Sequence, residues 1–316
     1  VLVVENLVKK YGRFKAVDEL SFQIEEGQIF GFVGANGAGK TTTMKIIAGL
    51  MKATSGKVAV DGVDIRANPN AVKSKIGYMP DFFGVYDDLK VSEYMDFYAG
   101  VYGIAGNERE GIADQLIELV NLSDKKHAYV DTLSRGMKQR LCLARSLIHN
   151  PQFLILDEPA SGLDPKARIE IKEILRELRN MGKTILISSH ILPELSEICT
   201  SIGIIEKGRM VVSGSVDEIM KKASCRRVIR IKVLGDINPA VRFLQEQPSI
   251  KNVSAANGHI DSDYDGDDSG MAEILRGMVK NNISVVSFTE VERNLESVFM
   301  NLITGGTNGD ADKSGN

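Results

Sequence analysis

Gly34-Ala35-Asn36-Gly37-Ala38-Gly39-Lys40-Thr41-Thr42 constrains this chain more than any other stretch. It follows an apolar run, Ile29 to Val33, and precedes an apolar-periodic segment, Met44 to Leu50. The pattern G-x-x-x-x-G-K-[ST] therefore stands between a strand and a helix, the context in which it folds as a phosphate-binding loop. Its glycines let backbone N–H groups converge on phosphate oxygens without Cβ clashes. A helix starting near Lys40 adds its positive end. Lys40 is placed to neutralise the β- and γ-phosphates of a nucleotide, and the Thr41 hydroxyl to face Mg²⁺. The plain alternative is a glycine-rich turn with a surface lysine.

Two later strands fit the same chemistry. Phe153 to Leu156 is an apolar run that ends in Asp157 and Glu158, and Pro159 closes it by denying a ladder N–H. Beside a phosphate loop, Asp157 is expected to hold Mg²⁺, leaving Glu158 to orient and polarise a water. Thr184 to Ser188 is β-branched and apolar, as strands of parallel sheets are, and it delivers Ser189 and His190 at its C-terminal end. Ligands of α/β proteins sit beyond the carboxyl ends of such strands, so His190 stands where a γ-phosphate sensor belongs. Ser134 reads as a helix cap whose first-turn N–H groups are free to face an anion. Asp164-Pro165 caps another helix, running to about Asn180 and broken by Gly182. Tyr11, in Tyr11-Gly12 between two strands, is either a half-buried turn aromatic or a ring that stacks on a base.

With 316 residues the chain can build one large domain or two moderate ones. A formal net charge of -3 argues against a broad nucleic-acid surface. Cys142, Cys199 and Cys225 are isolated, which indicates neither a disulfide framework nor a cysteine-rich metal site and suits a reducing compartment. His127, His149, His190 and His259 show no metal-ligand spacing. No apolar run approaches the length of a bilayer span, and Val1 to Val4 opens a strand instead of a signal peptide. Any work at a membrane would be done from outside the lipid, by docking.

From Leu89 to about Val120 the apolar period becomes helical, with Val91, Tyr94, Met95, Phe97 and Tyr98, then Gln115 to Val120. This is a helical insertion whose aromatics are either core or an exposed docking face. Past Met220 a basic boundary (Lys221, Lys222, Arg226, Arg227, Arg230) precedes a strand, Val228 to Leu234. There follow a helix (Asn238 to Gln247), a strand (Ile250 to Ala256), a turn at Asn257-Gly258 and an acidic loop. A helix (Ser269 to Lys280), a strand (Ile283 to Phe288) and a last helix (Val291 to about Leu302) complete the order of a split β-α-β module. The acidic loop, Asp261-x-Asp263-x-Asp265-Gly266, opens like a calcium loop. Its twelfth position is Ala272 and no helix precedes it, so a solvated turn is expected. After Ile303 nothing remains to bury, and residues 304–316 are expected to be disordered.

Taken in order, these motifs resemble one family, the ATP-binding subunits of ABC transporters, over about Val1 to Asp217. Gly34 to Thr42 resembles its phosphate loop, Tyr11 the aromatic that stacks on adenine, and Leu133 to Met137 its signature sequence. Leu154 to Glu158 resembles its Mg²⁺-binding strand and catalytic glutamate, Ser161 to Asp164 its dimer-contact loop, and His190 its switch histidine. Asp81 falls where the family carries the glutamine of its coupling loop.

The resemblance implies an α/β fold, a P-loop NTPase of the ABC ATPase type over residues 1–217, with a helical subdomain at about 85–150. A small C-terminal α+β domain follows at 218–303. ATP and Mg²⁺ are the implied cofactors, with Glu158, His190 and Lys40 catalytic and Thr41, Asp81 and Asp157 at the metal. Tyr11, Gly34, Asn36, Gly37, Ala38, Gly39, Lys40, Thr41 and Thr42 would hold the nucleotide, joined by Ser134, Gly136 and Asp164.

A second ATP-binding subunit, making a homo- or heterodimer, is also implied, head to tail, so that Ser134 and Gly136 face the nucleotide bound by the other subunit. The insertion, the domain after Met220 and Leu295-Glu296-x-Val298-Phe299 are similar to the branch whose integral membrane permeases are of the ABC-2 export type. That places the protein peripherally at the cytoplasmic face of the cell membrane. Two departures stand out. Arg135 and Met137 replace the usual glycine and glutamine of the signature, and Asp81, when ionised, accepts hydrogen bonds but donates none. The alternative is a soluble ATP-dependent clamp of the same superfamily acting on ribosomes or nucleic acid. The lack of a long coiled coil and the net charge weigh against it, and no direct nucleic-acid partner is expected.

Overall fold

The computed structural model describes residues 1–82, 84, 88–191, 195–219, 227–256 and 258–291. The expected last helix from Val291 to Leu302 lies, beyond Val291 itself, outside the described residues, as do the tail 304–316, Cys225 and the basic residues Lys221, Lys222 and Arg226. The chain divides into two compact units, Val1–Val216 and Asp217–Asn316.

In the first unit, β1 (Leu2–Tyr11) and β2 (Phe14–Ile24) form an antiparallel hairpin around Gly12, whose φ of 59° suits a tight turn. With β4 (Ser55–Val60) and β5 (Val63–Asp64) they make a four-stranded sheet in the order β2-β1-β4-β5. A six-stranded sheet has the order β10-β9-β3-β8-β7-β6. There β3 (Ile29–Val33), β6 (Ile76–Met79), β7 (Phe153–Leu156), β8 (Thr184–Ser189) and β9 (Ser201–Glu206) run parallel. The edge strand β10 (Arg209–Ser215) pairs antiparallel with β9. Strands β3, β7 and β8 are buried at every residue, as apolar strands covered on both faces are. Phe22 of β2 stacks on Phe30 and Phe32 of β3, with ring centroids 5.4 and 5.5 Å apart, and so ties the two sheets together.

Helix α1 (Lys40–Ile47) follows β3, and the short α2 (Pro69–Lys73) precedes β6. Between β6 and β7 the chain leaves the sheet for α3 (Val91–Val101), α4 (Gly106–Leu119) and α5 (Arg135–Leu147). The buried Arg140 anchors α5. It donates to the carbonyls of Val120 (2.8 Å) and Asn121 (3.0 Å), where α4 ends and a cation meets the helix's negative pole. Its guanidinium also pairs with Glu170 of α6 (Pro165–Asn180) at 3.3 Å. The aromatic row of the insertion is divided, since Tyr94 is fully buried while Phe97 is 44% exposed.

The second unit runs β11 (Arg227–Val233), helix Asn238–Gln245, β12 (Ile250–Ala256), β13 (His259–Tyr264), helix Asp268–Lys280 and β14 (Val285–Val291). Its antiparallel sheet has the order β12-β13-β11-β14, the arrangement of a split β-α-β fold. Ile229, Ile231, Leu244, Ile260, Tyr264 and Met278 form its core. The stretch expected as an acidic loop is instead the inner strand β13. Alternation decides this, because Ile260, Ser262 and Tyr264 are buried while Asp261 and Asp263 fall on the other face. Arg230 holds Asp261 in a two-pronged pair at 2.8 and 2.7 Å, and Asn252 donates to Asp263 at 2.8 Å. These carboxylates serve cross-strand pairing, not a calcium loop.

Candidate functional site

Strands β3, β8 and β7 are neighbours in the parallel sheet, and their carboxyl ends feed one cleft of about 430 Å³. Its walls are Tyr11, Phe14, Ala16, Ala35, Asn36, Gly37, Gly39, Lys40, Thr41, Thr42, Asp81, Glu158, Ser161 and His190. The loop after β3 can be built only with glycine at two places. A Cβ on Gly39, whose φ is 108°, would lie 2.4 Å from the Ala16 carbonyl oxygen, and one on Gly34 would lie 2.5 Å from that of Ile205. Ala38 is buried beneath the loop. Helix α1 starts at Lys40 with no acidic residue in its first turn, so its positive end opens on the cleft unopposed. The buried Lys40 donates from Nζ to the Gly34 carbonyl at 2.6 Å and stands 3.4 Å from Glu158 Oε1.

The end of β7 is held by a single hydroxyl from β8. Ser188 Oγ donates to Asp157 Oδ1 at 2.7 Å and accepts the Glu158 backbone N–H at 2.8 Å. Glu158 needs that tether, since its φ of 51° is left-handed, a conformation that costs a non-glycine residue about 1 kcal/mol. Its Oε2 lies 2.8 Å from His190 Nδ1, so the carboxylate is bracketed by His190 and Lys40. Burial pushes the Asp157 carboxyl up from its ordinary range. The Ser188 and Thr41 hydroxyls pull it down, and the charges of Asp81 and Glu158 push it further up. Asp157 Oδ2 is buried without a hydrogen-bond donor. A partnerless acid oxygen close to a threonine hydroxyl, with Asp81 on the cleft wall, is an oxygen-only donor set that fits Mg²⁺.

Tyr11 stands at the rim of the cleft, 48% exposed, its hydroxyl donating to the Met51 sulfur at 3.0 Å. Ser134, Gly136 and Asp164 do not line the cleft. Ser134 caps α5 by accepting the Met137 N–H at 3.3 Å, and Asp164 caps α6 by accepting that of Ala167 at 3.0 Å. Gly136 is buried where a Cβ would press to 3.0 Å on that of Ala167, so it lets α5 approach α6. The Arg135 guanidinium lies over Gly162, with its Cζ 2.6 Å from where a Cβ there would be. Two residues escaped sequence reasoning. Ser188 carried a signal, because it lies in β8, the strand that leads directly to His190. Phe14 pairs with Tyr11 across the hairpin and shares its wall of the cleft.

Comparison with known proteins identifies the family. The ABC transporter family model matches residues 17–161. The chain is 33% identical over 312 residues to the linearmycin resistance ATP-binding protein LnrL of Bacillus subtilis, covering 97% of this chain and 99% of that one. It is 35% identical to the bacitracin transport ATP-binding protein BcrA of Bacillus licheniformis, covering 98% and 99%. Among solved structures, an ATP-binding subunit of an ABC transporter superposes with a TM-score of 0.64 at 29% identity, over 71% of this chain and 93% of that one. A dimeric ATP-binding cassette bound to ADP and Pi shares the fold, with a TM-score of 0.62 at 24% identity, over 68% of this chain and 99% of that one.

Proposed function

This chain belongs to the ATP-binding proteins of ABC transporters, and on that premise we propose which of its residues carry turnover. It is an ATP-hydrolysing subunit that dimerises and powers export through a separate membrane permease. The observation that supports the residue assignment is the convergence of Lys40, Glu158 and His190 on one cleft.

In this reading adenine stacks on Tyr11, and the phosphates lie along the N–H groups of residues 35–42 at the positive end of α1. Their oxygens compete with the Gly34 carbonyl for Lys40, which moves onto the β- and γ-phosphates. Glu158 orients a water and takes its proton as the water oxygen attacks the γ-phosphorus. The bond from the γ-phosphorus to the bridging oxygen breaks, and ADP leaves with the electron pair. His190 keeps the Glu158 carboxylate in place and faces the transferred phosphoryl group. Thr41 and Asp157 would hold Mg²⁺, with Asp81 in its outer shell, and the ion would neutralise charge on the phosphate oxygens.

Ser134, Gly136 and Asp164 act across the dimer, on the nucleotide of a second ATP-binding subunit, identical or not. Their position off the cleft supports this, because one chain alone leaves them without a ligand. The permease is of the ABC-2 type and docks on the helical insertion near Asp81, which puts this subunit at the cytoplasmic face of the membrane. A related Nod factor export ATP-binding protein of Ralstonia nicotianae supports that branch, together with the linearmycin and bacitracin relatives. The alternative of a clamp on ribosomes or nucleic acid is not favoured.

Glu158→Gln tests the assignment, since it keeps size and removes the base. The variant is expected to bind ATP, to release phosphate at least ~100-fold more slowly and to accumulate as an ATP-bound dimer. Near-normal phosphate release would remove Glu158 from the mechanism.

A further inference from the structure

A second cavity, of about 610 Å³, is larger than the cleft at the phosphate loop and shares no lining residue with it. It lies at the other end of α1, whose Ile46 meets Val58 of β4 and Ile65, just past β5, in its wall. All three side chains are buried, so the cavity has an apolar floor. Small-molecule sites are mostly apolar clefts of about 300–1,000 Å³ in which a few placed polar groups fix the ligand.

Here the polar groups carry one sign of charge. Lys52, Arg66 and Lys73 line the cavity, and no Asp or Glu does. The fold places all three. Lys73 lays its stem over Gly49, with Cε 3.3 Å from where a Cβ there would be. Arg66 is held at the wall by Nη2, which donates to the Gly56 carbonyl, and by its backbone N–H, which donates to Asp64 Oδ1 at 2.8 Å. The segment bearing Lys52 is tied to β1, where Lys9 Nζ donates to the Lys52 carbonyl at 2.8 Å and the Lys10 N–H to Thr54 Oγ1 at 2.9 Å. Among the described residues none of the three cations has a carboxylate in ion-pair range, whereas Lys75, two residues past Lys73, pairs with Asp61 at 3.1 Å. The negative end of α1 is close by, but a helix end amounts to about half a charge, against three. Like charges around one low-dielectric hollow raise the local concentration of an ion of opposite sign.

We propose that this cavity binds a small amphiphilic anion. Its phosphate- or carboxylate-type head sits among Lys52, Arg66 and Lys73, and its apolar body covers Ile46, Val58 and Ile65. The chemistry asks for both halves. A bare anion would leave the floor in water, and a neutral apolar molecule would leave the three charges unanswered. The site is independent of turnover, because the phosphates of a nucleotide are drawn to the opposite, positive end of α1.

The test uses the full chain loaded with ADP and Mg²⁺, so that the phosphate loop is filled. Octyl phosphate is titrated below its micelle concentration by calorimetry. One molecule is expected to bind per chain, at least ~10-fold tighter than inorganic phosphate or octyl glucoside, which supply the head or the tail alone. Its affinity should fall with added salt. Lys52→Gln combined with Lys73→Gln removes two exposed cations and should weaken octyl phosphate at least ~10-fold, with ADP affinity and Tm at wild-type values. Arg66→Gln is the second variant and should weaken it by a similar factor. Absence of saturable binding, or binding that both variants leave unchanged, would overturn the site. Inorganic phosphate binding as tightly as octyl phosphate would reduce it to an anion patch and overturn the amphiphile. Sedimentation with vesicles of phosphatidic acid in phosphatidylcholine separates a free ligand from a membrane. If the wild type sediments, the double variant does not, and octyl phosphate fails to bind, the cations serve a lipid surface and the small-molecule reading is overturned.

Discussion

Ser188→Ala is the substitution that separates this site from a set of independent motifs. Ser188 is fully buried and is not on the cleft wall, yet its hydroxyl serves both acids at the end of β7. Removing it leaves the Glu158 N–H without an acceptor and strips one donor from Asp157. A buried donor left unpaired costs about 1–3 kcal/mol, and a bond to a charged group is worth about 1.5–3 kcal/mol. The two share one atom and do not add, so a loss of about 2–4 kcal/mol in stability is expected. The larger effect is on turnover. Glu158 is held at a left-handed φ of 51°, and without the tether that strain relaxes toward an ordinary backbone. Moving a catalytic carboxylate by about 1 Å costs roughly 100-fold in rate. The assay is phosphate release at saturating ATP and Mg²⁺, alongside ATP binding and thermal unfolding. The rate constant should fall by about 30- to 100-fold with ATP affinity nearly unchanged, because the phosphate loop is untouched. Ser188→Thr keeps the hydroxyl and should recover most of the rate. A rate constant within about threefold of wild type in the alanine variant, with Tm unchanged, would refute the claim that Ser188 sets the geometry of Glu158.

Tyr11→Ala should raise KM for ATP about tenfold with kcat nearly intact, since stacking on a base is worth about 1–3 kcal/mol and is already made in the ground state. Steady-state kinetics check this, and an unchanged KM would leave Tyr11 a turn residue tied to Met51. Asp261→Asn should cost under ~1 kcal/mol at pH 7, because both it and Arg230 are partly in water. Arg230 holds the Asp261 carboxyl below its ordinary value, so this contribution is present above the unfolded pKa of about 3.9 and fades as pH falls through the lower folded value. Urea unfolding of the two proteins should therefore differ at pH 7 and converge in strong acid.

The candidate site was legible because each of its parts is forced locally. A loop position whose Cβ would fall 2.4 Å from a neighbouring carbonyl oxygen can only be glycine, and an apolar strand ending in Asp157-Glu158 has to place those acids at the carboxyl end of the sheet. Ser134 and Asp164 were legible for a similar reason, as caps serve N–H groups three residues away. Gly136 was only half legible. The signature pattern named it, but its packing against Ala167 depends on a helix crossing that no local pattern records.

Charge pairing was the part that could not be read, and it failed in both directions. Asp261, Asp263 and Asp265 sit close in sequence, which looked like a solvated acidic turn. The partners that make β13 an inner strand are Arg230, Asn252 and Lys251, on two other strands. Composition outweighed the alternation of Ile260, Ser262 and Tyr264, though that alternation was the better guide. Arg145 is the reverse case. In sequence it is one basic residue among several in the Leu133 to His149 run, with nothing to single it out. The tyrosines that cage it, Tyr94 and Tyr98, arrive from α3, 51 and 47 residues away, and they bring no charge. Asp261 of that strand is thus paired across the sheet, whereas Arg145, in a helix that looked unremarkable, has no carboxylate in ion-pair range among the described residues. Whether a charge is satisfied is a tertiary property, set by strands and helices that lie far apart in the sequence, which is why no local pattern records it.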